Sequence, residues 1–257
     1  MSALFYTRCL NSLKGEGVSL LRKLVPPLLL VALGIFFLAT HTHSSKPAHP
    51  QNAPAPADAR KVITYPLHRR ITATVFWVGE EATSENAHIA NVASSWDEHW
   101  REHFGGVDDP NHRRGYAPAG FTPQENPFYC ALPYSDFDKE GRKANTRRIP
   151  WAAEQQWAAH ESMCKNRWLR ITRGAKTAYA QWEDAGPFQS DDTDYVFGTA
   201  PPRNTVNHHA GLDVSPAVRD YLGLSGDDKV DWQFVDVQDV PDGPWKQVVT
   251  TSQVTWE

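Results

Sequence analysis

The sequence of 257 residues contains few cysteines, and the three that are present form no metal-binding pattern. Cys9, Cys130 and Cys164 are widely spaced, and no combination of cysteine and histidine has the spacing of a zinc site. The chain also lacks a glycine-rich phosphate loop and the Gly-x-Ser-x-Gly turn that carries a serine nucleophile. We therefore predict a function that requires neither a metal nor another cofactor.

Concentrated positive charge is absent as well. The formal net charge is -4, and the arginine pairs at 69–70, 113–114 and 147–148 stand apart from one another. Proteins that bind nucleic acids need a dense basic surface to hold the phosphates. The composition therefore argues against nucleic acid as a partner.

The first 61 residues differ in composition from the rest of the chain. Residues 1–23 contain four basic residues and one acidic residue, and residues 24–40 are apolar and uncharged. Positive charge before an apolar run predicts an uncleaved signal anchor, a transmembrane helix whose N-terminus stays in the cytoplasm. A cleaved signal peptide is the alternative. In both cases the Pro/Ala-rich linker 41–61 and the main domain 62–257 are expected to be exported.

Export has a consequence for two of the cysteines. An anchored chain would be a single-pass inner-membrane protein whose main domain lies in the periplasm, an oxidising compartment in which thiols often pair. We predict a disulfide between Cys130 and Cys164. Two buried free thiols are the alternative, because sequence spacing does not establish that two cysteines lie close enough to bond.

Residues 62–257 alternate between short β-branched or aromatic runs and long polar segments. The short runs predict strands at 71–78, 128–134, 166–172, 177–183, 193–198, 229–237 and near 245–252. The polar segments 80–127 and 135–164 are predicted to be insertions between strands. Because strands do not alternate regularly with crossover helices, the pattern favours a mainly β fold, a small barrel with two long insertions.

One late helix is expected within residues 211–224. Ser215 is a typical N-cap residue, and Pro216 suits the first position of a helix. Gly223 can adopt the left-handed conformation that ends many helices. The pattern therefore predicts a short helix after the last insertion.

Several of these segments, in the same order along the chain, resemble a known module. The stretches "NRWLRIT-RGAKTAYAQWEDAGPF", "GLDVSPAVRDYLGL" and "VDWQFVDV" are similar to the double-psi β-barrel of rare lipoprotein A, over residues 165–237. The stretch "FYCALPY" stands where that family has a histidine-containing segment. The resemblance implies a six-stranded double-psi β-barrel, a fold shared with expansins and with membrane-bound lytic transglycosylase A.

The resemblance also implies a role on peptidoglycan or another cell-wall polysaccharide. In such enzymes the aspartate of an Asp-x-Gly-Pro-Phe turn is implicated in cleaving glycan strands, and it corresponds to Asp184. A second aspartate of the family corresponds to Asp213, whereas the functional histidine is replaced by Tyr129. Without that histidine, either Tyr129 acts as a polar partner or the protein is a non-catalytic, expansin-like barrel that binds carbohydrate or protein.

The chemistry of glycosidic cleavage is consistent with these acids. The leaving oxygen needs a proton, which a carboxylic acid with a raised pKa can deliver, and partial burial after an apolar strand would raise the pKa of Asp184. Strand alternation places Glu183 on the opposite face, where it would be a surface residue or part of an ion pair. Asp184 could instead accept backbone hydrogen bonds in a turn, and Asp213 could favour the N-terminus of the following helix.

Aromatic side chains are expected to contact the sugar, because flat apolar rings stack on pyranose rings. The predicted substrate-binding residues are Tyr129, Trp77, Trp182 and Phe188. Trp96 and Trp100 are expected to pack onto the barrel instead.

Overall fold

A computed structural model describes residues 64–253, except residues 85 and 87. The predicted transmembrane segment 24–40 and the predicted linker 41–61 lie outside the described residues. None of the helices in the described part of the chain has the length and apolar character needed to cross a bilayer.

The described chain consists of short strands with a few short helices between them. In order, they are β1 (His68–Val75), α1 (Trp100–Phe104), β2 (Arg113–Arg114), β3 (Ala117–Pro118), β4 (Tyr129–Leu132), β5 (Phe137–Asp138), β6 (Gly141–Arg142), β7 (Arg167–Arg173), β8 (Lys176–Ala185), α2 (Thr193–Val196), β9 (Ala210–Val214), α3 (Pro216–Leu222) and β10 (Asp228–Val235). Turns of 3₁₀ helix lie at Ala144–Arg148, Val237–Asp239 and Pro244–Lys246. This order places the polar segment 80–127 between β1 and β4, and the segment 135–164 between β4 and β7.

Six of the strands close into a barrel in the order β1, β10, β7, β8, β4 and β9. Strands β1 and β9 are parallel, as are β4 and β8, and the other neighbouring pairs are antiparallel. Strands β2 and β3, and likewise β5 and β6, form separate two-stranded sheets. The closed barrel leaves none of its six strands as an edge. The predicted mainly β fold with a six-stranded barrel is confirmed.

Two apolar clusters lie on the two faces of β4. Cys130 and Leu132 belong to the main core, which also contains tryptophans from β7, β8 and β10. Tyr129 belongs instead to a second cluster, with Trp100 and Phe104 of α1. This alternation follows from the two-residue period of a strand. Burial of these aromatic rings attaches the polar segment that precedes β4 to the outside of the barrel.

The strand predicted at residues 193–198 is wrong, because this segment contains the helix α2. The amide of Val196 donates to the carbonyl of Asp192, and the amide of Phe197 donates to the carbonyl of Thr193. Tyr195 and Val196 are both buried. A run this short has too few apolar positions to distinguish a helical period from a strand period.

The strand predicted near residues 245–252 is also wrong. After the last 3₁₀ turn this segment belongs to no strand, and the backbone of Thr250 pairs with a side chain instead. The amide of Thr250 donates to Gln181 Oε1 over 2.9 Å, and its carbonyl accepts from Gln181 Nε2 over 2.9 Å. A buried glutamine therefore supplies the bonds that a neighbouring strand would have supplied.

The helix predicted within residues 211–224 occupies only the second half of that range. The first half is β9, a barrel strand that the sequence analysis did not identify. Ser215 Oγ accepts a hydrogen bond from the amide of Val218 over 3.3 Å, and Pro216 is the first helical residue. Gly223 has a φ of 73° and ends the helix. The predicted cap, start and end of this helix are therefore confirmed.

The predicted disulfide is absent from the structure. Cys130 and Cys164 are both free thiols, and both are fully buried. The Cys130 thiol donates to the carbonyl of Gln181 over 3.5 Å, whereas Cys164 lies near the charges of Asp136 and Arg167. The two sulfurs therefore have separate surroundings, and burial raises the pKa of each thiol well above its ordinary value.

Candidate active site

A groove with a volume of about 770 Å³ lies where β1, β8 and β9 end. Asp184 and Asp213 both line it, together with Glu80, which follows β1. Two half-buried aromatic residues, Trp77 and Phe188, also line the groove. This is the place where the structure brings together most of the sequence-predicted site residues.

Strand pairing explains why the two aspartates meet. Ala131 of β4 is opposite Asp184 in the parallel pairing with β8, and it is opposite Asp213 in the antiparallel pairing with β9. The two acids therefore flank one small residue in the same row across three neighbouring strands. With neighbouring strands about 4.8 Å apart, their backbones are separated by roughly 10 Å, and the side chains extend into the space between them.

Asp184 is held rigidly at the end of β8. Its Oδ1 accepts hydrogen bonds from the amides of Ser95 and Ala185, each over 2.7 Å. The side chain is buried, and burial raises the pKa of Asp184 to about 6 although these bonds oppose the rise. The sequence offered two roles for Asp184, an acceptor of backbone hydrogen bonds in a turn and an acid in a groove. In the structure Asp184 has both features.

Asp213 is placed by β9 and by the neighbouring strand β1. Thr74 pairs with Asp213 in the β1–β9 ladder, and the Thr74 hydroxyl donates to Asp213 Oδ1. Burial raises the pKa of Asp213 to about 7, and the charges of Asp184 and Glu80 contribute to the rise. The carboxyl therefore changes its protonation state near neutral pH.

Glu80 is a groove acid that the sequence analysis missed. Its Oε2 accepts a hydrogen bond from Asn91 Nδ2 over 2.7 Å, and the side chain is buried. Burial raises the pKa of Glu80 above its ordinary value. The available signal was an acid two residues after the predicted strand 71–78, much as Asp184 directly follows the predicted strand 177–183.

The turn after Asp184 leaves room for the second aspartate. A Cβ atom on Gly186 would lie 3.2 Å from Asp213 Oδ2, which is closer than most carbon–oxygen contacts of side chains. Phe188 follows with a φ of 56°, an uncommon value for a bulky residue, and its ring lines the groove. The Gly-Pro-Phe sequence therefore brings the turn close to Asp213 and places an aromatic wall beside the acids.

Two of the predicted substrate-binding residues lie elsewhere. Tyr129 is fully buried, accepts a hydrogen bond from the amide of Val78 over 3.0 Å, and donates to Asp108 Oδ2 over 2.9 Å. Trp182 is fully buried in the main core, where its indole N–H donates to the carbonyl of Asp184 over 2.8 Å. Neither side chain lines the groove. The prediction that they contact substrate is therefore corrected, because each ring faces an apolar cluster.

Other predictions about neighbouring residues are confirmed. Glu183 does not line the groove and forms an ion pair with Lys165 over 2.9 Å, with both side chains buried. Trp96 and Trp100 are buried against the barrel, the first in the main core and the second in the cluster on its outside.

The chemistry available in this groove is proton transfer. Two carboxyl groups with pKa values near 6 and 7 face one cavity, so one of them can donate a proton while the other accepts one. Within residues 64–253, apart from the two undescribed positions, no group of three His, Cys, Asp or Glu side chains is arranged to hold a metal ion.

Comparisons with known proteins add no family to this description. No protein-family model matches the chain, no curated protein is significantly similar to it, and no solved structure matches it. The likeness to rare lipoprotein A thus depends on the sequence motifs, and the function is inferred from the groove.

Proposed function

We propose that the protein acts on a cell-wall glycan and cleaves it in the manner of a lytic transglycosylase. Asp184 is the general acid/base, and Asp213 is the second carboxyl group. The observation that carries this proposal is the pair of acids on either side of Ala131, Asp184 buried and Asp213 half-buried, with pKa values of about 6 and 7 in one groove.

The barrel is proposed to be a double-psi β-barrel. The strand order, with two parallel pairs in an otherwise antiparallel closed sheet, supports this assignment. The position of the Gly-Pro-Phe turn beside Asp213 supports it further, because the same two motifs carry the likeness to rare lipoprotein A.

The proposed reaction balances without a cofactor. The protonated carboxyl group donates its proton to the leaving glycosidic oxygen as the bond from that oxygen to the sugar carbon breaks. A hydroxyl group of the same sugar attacks the carbon, and the carboxylate accepts the hydroxyl proton. The acid is restored at the end. The cycle starts from the form in which Asp184 is protonated and Asp213 is ionised. This form is present between about pH 6 and pH 7, where the pair shares one proton.

Trp77 and Phe188 are proposed to contact the sugar rings. Both line the groove on the rim around the acids, and both are partly exposed to solvent. Stacking on such rings would orient the glycosidic oxygen toward Asp184. The predicted inner-membrane anchor at residues 24–40 would hold this groove in the periplasm, next to peptidoglycan.

A second candidate function is a non-catalytic barrel that binds carbohydrate or protein. One observation favours it: Tyr129, which stands at the family's histidine position, is fully buried and bonded to Asp108. The groove therefore has no residue in the role of that histidine. The two functions differ in whether the glycan is cut.

Digestion of peptidoglycan sacculi tests the proposal. We expect purified full-length protein in detergent to release soluble glycan fragments, and Asp184→Asn to lower the rate by roughly 10²–10⁴-fold because it removes the acid. Glu140→Gln is the matched control, since Glu140 is exposed in the β5–β6 turn and outside the groove. Retained binding to sacculi without any release by the wild type would contradict cleavage and favour the binding function.

A further inference from the structure

Each buried acid outside the groove has a basic side chain of the same chain near it. Five of them are in ion pairs, namely Asp97 with His103, Asp108 with Arg113, Asp136 with Arg142, Glu183 with Lys165 and Asp192 with Arg203. A sixth, Glu125, acts electrostatically on Lys165. Each of these acids thus has a basic side chain of the protein near it.

The acids of the groove differ from this pattern. None of Glu80, Asp184 and Asp213 forms an ion pair with a basic side chain in the described part of the chain. Three further acids, Glu81, Asp109 and Asp227, also line the groove, and of these Asp227 pairs with His208 outside it. No lysine, arginine or histidine is among the described residues that line it.

The groove is thus a cavity with aromatic walls and several carboxyl groups but no positive charge of its own. Glu80 and Asp184 are each more than nine-tenths buried and still lack a cationic partner. Water screens charges less at such sites. A cation therefore gains more electrostatic binding free energy in the groove than beside an exposed acid. A bare metal ion is not the occupant that the geometry favours, because the described residues contain no set of ligands for one.

We propose that the groove selects a glycan whose sugars carry free amino groups, that is, non-acetylated glucosamine units. The ammonium group supplies the positive charge that the groove lacks, and the pyranose rings stack on Trp77 and Phe188. Glycans with carboxylate or phosphate groups are repelled by the same acids. This inference builds on the proposed function, because it names the substrate class of that site.

The test compares the binding of matched hexasaccharides to the full-length protein by calorimetry. The probes are β-1,4-linked glucosamine, its fully N-acetylated form, and a hexasaccharide that alternates uronic acid with N-acetylglucosamine. At about pH 7 and low salt, where Asp184 is mostly ionised, we expect the glucosamine probe to bind about tenfold more tightly than the acetylated probe, and the uronic acid probe to bind most weakly. Raising the salt concentration to about 0.5 M should reduce this preference.

Charge removal in the groove should change the preference selectively. In Glu80→Gln we expect the advantage of the glucosamine probe to fall by about threefold, with little change for the acetylated probe. If Glu80→Gln is not folded, judged by circular dichroism, Glu81→Gln serves instead because Glu81 is exposed on the groove rim. Glu140→Gln, which removes the same charge on another part of the surface, should leave the preference unchanged.

The outcomes separate this inference from the function on which it is built. Equal or tighter binding of the acetylated probe, with sacculi still digested, would overturn the charge preference and leave glycan cleavage standing. A glucosamine preference that persists equally in both groove variants would also overturn it. Failure to bind any of the glycans, together with failure to digest sacculi, would remove both proposals.

Discussion

At the scale of single residues, the main feature is burial of carboxyl groups without countercharges. Asp184 and Asp213 are held by hydrogen bonds, from two amides and from the Thr74 hydroxyl respectively. Hydrogen bonds to a carboxylate lower its pKa, but here loss of solvent has the larger effect. The result is two acids that change charge near neutral pH in one cavity.

This arrangement should make stability depend on pH. The pKa of Asp213 is about 7 in the folded protein and about 3.9 in an unfolded chain, so its contribution to stability is complete below about pH 4. It is lost as the pH rises toward 7, because the unfolded state ionises more easily. We compare the unfolding free energy of Asp213→Asn with that of the wild type at each pH. We expect this difference, variant minus wild type, to be roughly 1–2 kcal/mol larger at pH 8 than at pH 4.

Urea unfolding at several pH values measures this difference. Asp184 and Glu183 titrate in both proteins, so their contributions cancel in the comparison. A difference that is the same at every pH would show that the pKa of Asp213 is not raised in the folded protein.

The sequence located some of the groove residues but not all. Asp184, Asp213, Trp77 and Phe188 were predicted, and each lines the groove. Residues at the ends of strands were thus found from local motifs. The face that an interior strand residue occupies depends on its partners across the barrel, which the sequence does not show. Tyr129 and Trp182 were therefore wrongly predicted to contact the substrate.

Glu80 was missed for a related reason. It was assigned to an insertion on the basis of composition, and nothing local shows that the chain beyond β1 lines the same groove as Asp213. The parallel pairing of β1 with β9 joins residues about 140 positions apart, Thr74 with Asp213 among them. Such contacts have no periodic signal in the sequence.

At the scale of elements, α3 is the part of the fold that local physics determines best. Its cap, its initial proline and its final glycine all act within a few residues, so the sequence predicts it directly. The strand before it, β9, has five residues and no turn signal between it and the helix. This segment is a strand because it pairs with β1 on one side and β4 on the other. The sequence alone does not specify that pairing.

The cap of α3 gives a prediction at this scale. Ser215 Oγ is the side-chain acceptor for the amide of Val218, and Ser215 is fully buried. We expect Ser215→Ala to lower the unfolding free energy by about 1 kcal/mol, because it leaves that amide without its partner. Chemical denaturation of the two proteins under the same conditions measures the change. An unchanged midpoint and slope would show that the cap adds no stability.

At the scale of the whole molecule, buried polar side chains connect the C-terminal segment to the barrel. Lys165 Nζ donates to Glu183 Oε2 over 2.9 Å and also to the carbonyl and hydroxyl of Ser252. Ser252 Oγ in turn donates to Glu125 Oε1 over 2.9 Å. One ammonium group thus links β8, the segment before β4 and the end of the described chain.

Removal of that ammonium group should destabilise the whole domain. We expect Lys165→Met to lower the unfolding free energy by about 3–5 kcal/mol, because Glu183 is left buried without a countercharge. The double variant Lys165→Met/Glu183→Leu should recover much of this loss, since no buried charge remains. Thermal and urea unfolding of the single and double variants measure both effects. Equal losses in both variants would show that the lysine acts through packing or through Ser252 instead.

The sequence predicted the mainly β fold because strand periods and turn residues are local, whereas the six-stranded barrel was implied by the resemblance to a known module. It failed at residues 193–198 and 245–252, where the context decides between strand, helix and side-chain-bonded coil. The prediction of a disulfide is wrong for a similar reason. The neighbours of Cys130 and Cys164 are set by the folded chain, and the two thiols are both free.

The pH dependence of sacculus cleavage by wild type and Asp213→Asn tests the central claim most directly. The wild type should give a bell-shaped rate profile with limbs near pH 6 and pH 7, set by the ionised and the protonated member of the pair. Asp213→Asn should be at least about tenfold slower and should lose the lower limb, because its rate then follows only the protonated fraction of Asp184. A variant with the rate and profile of the wild type would contradict a catalytic pair in this groove.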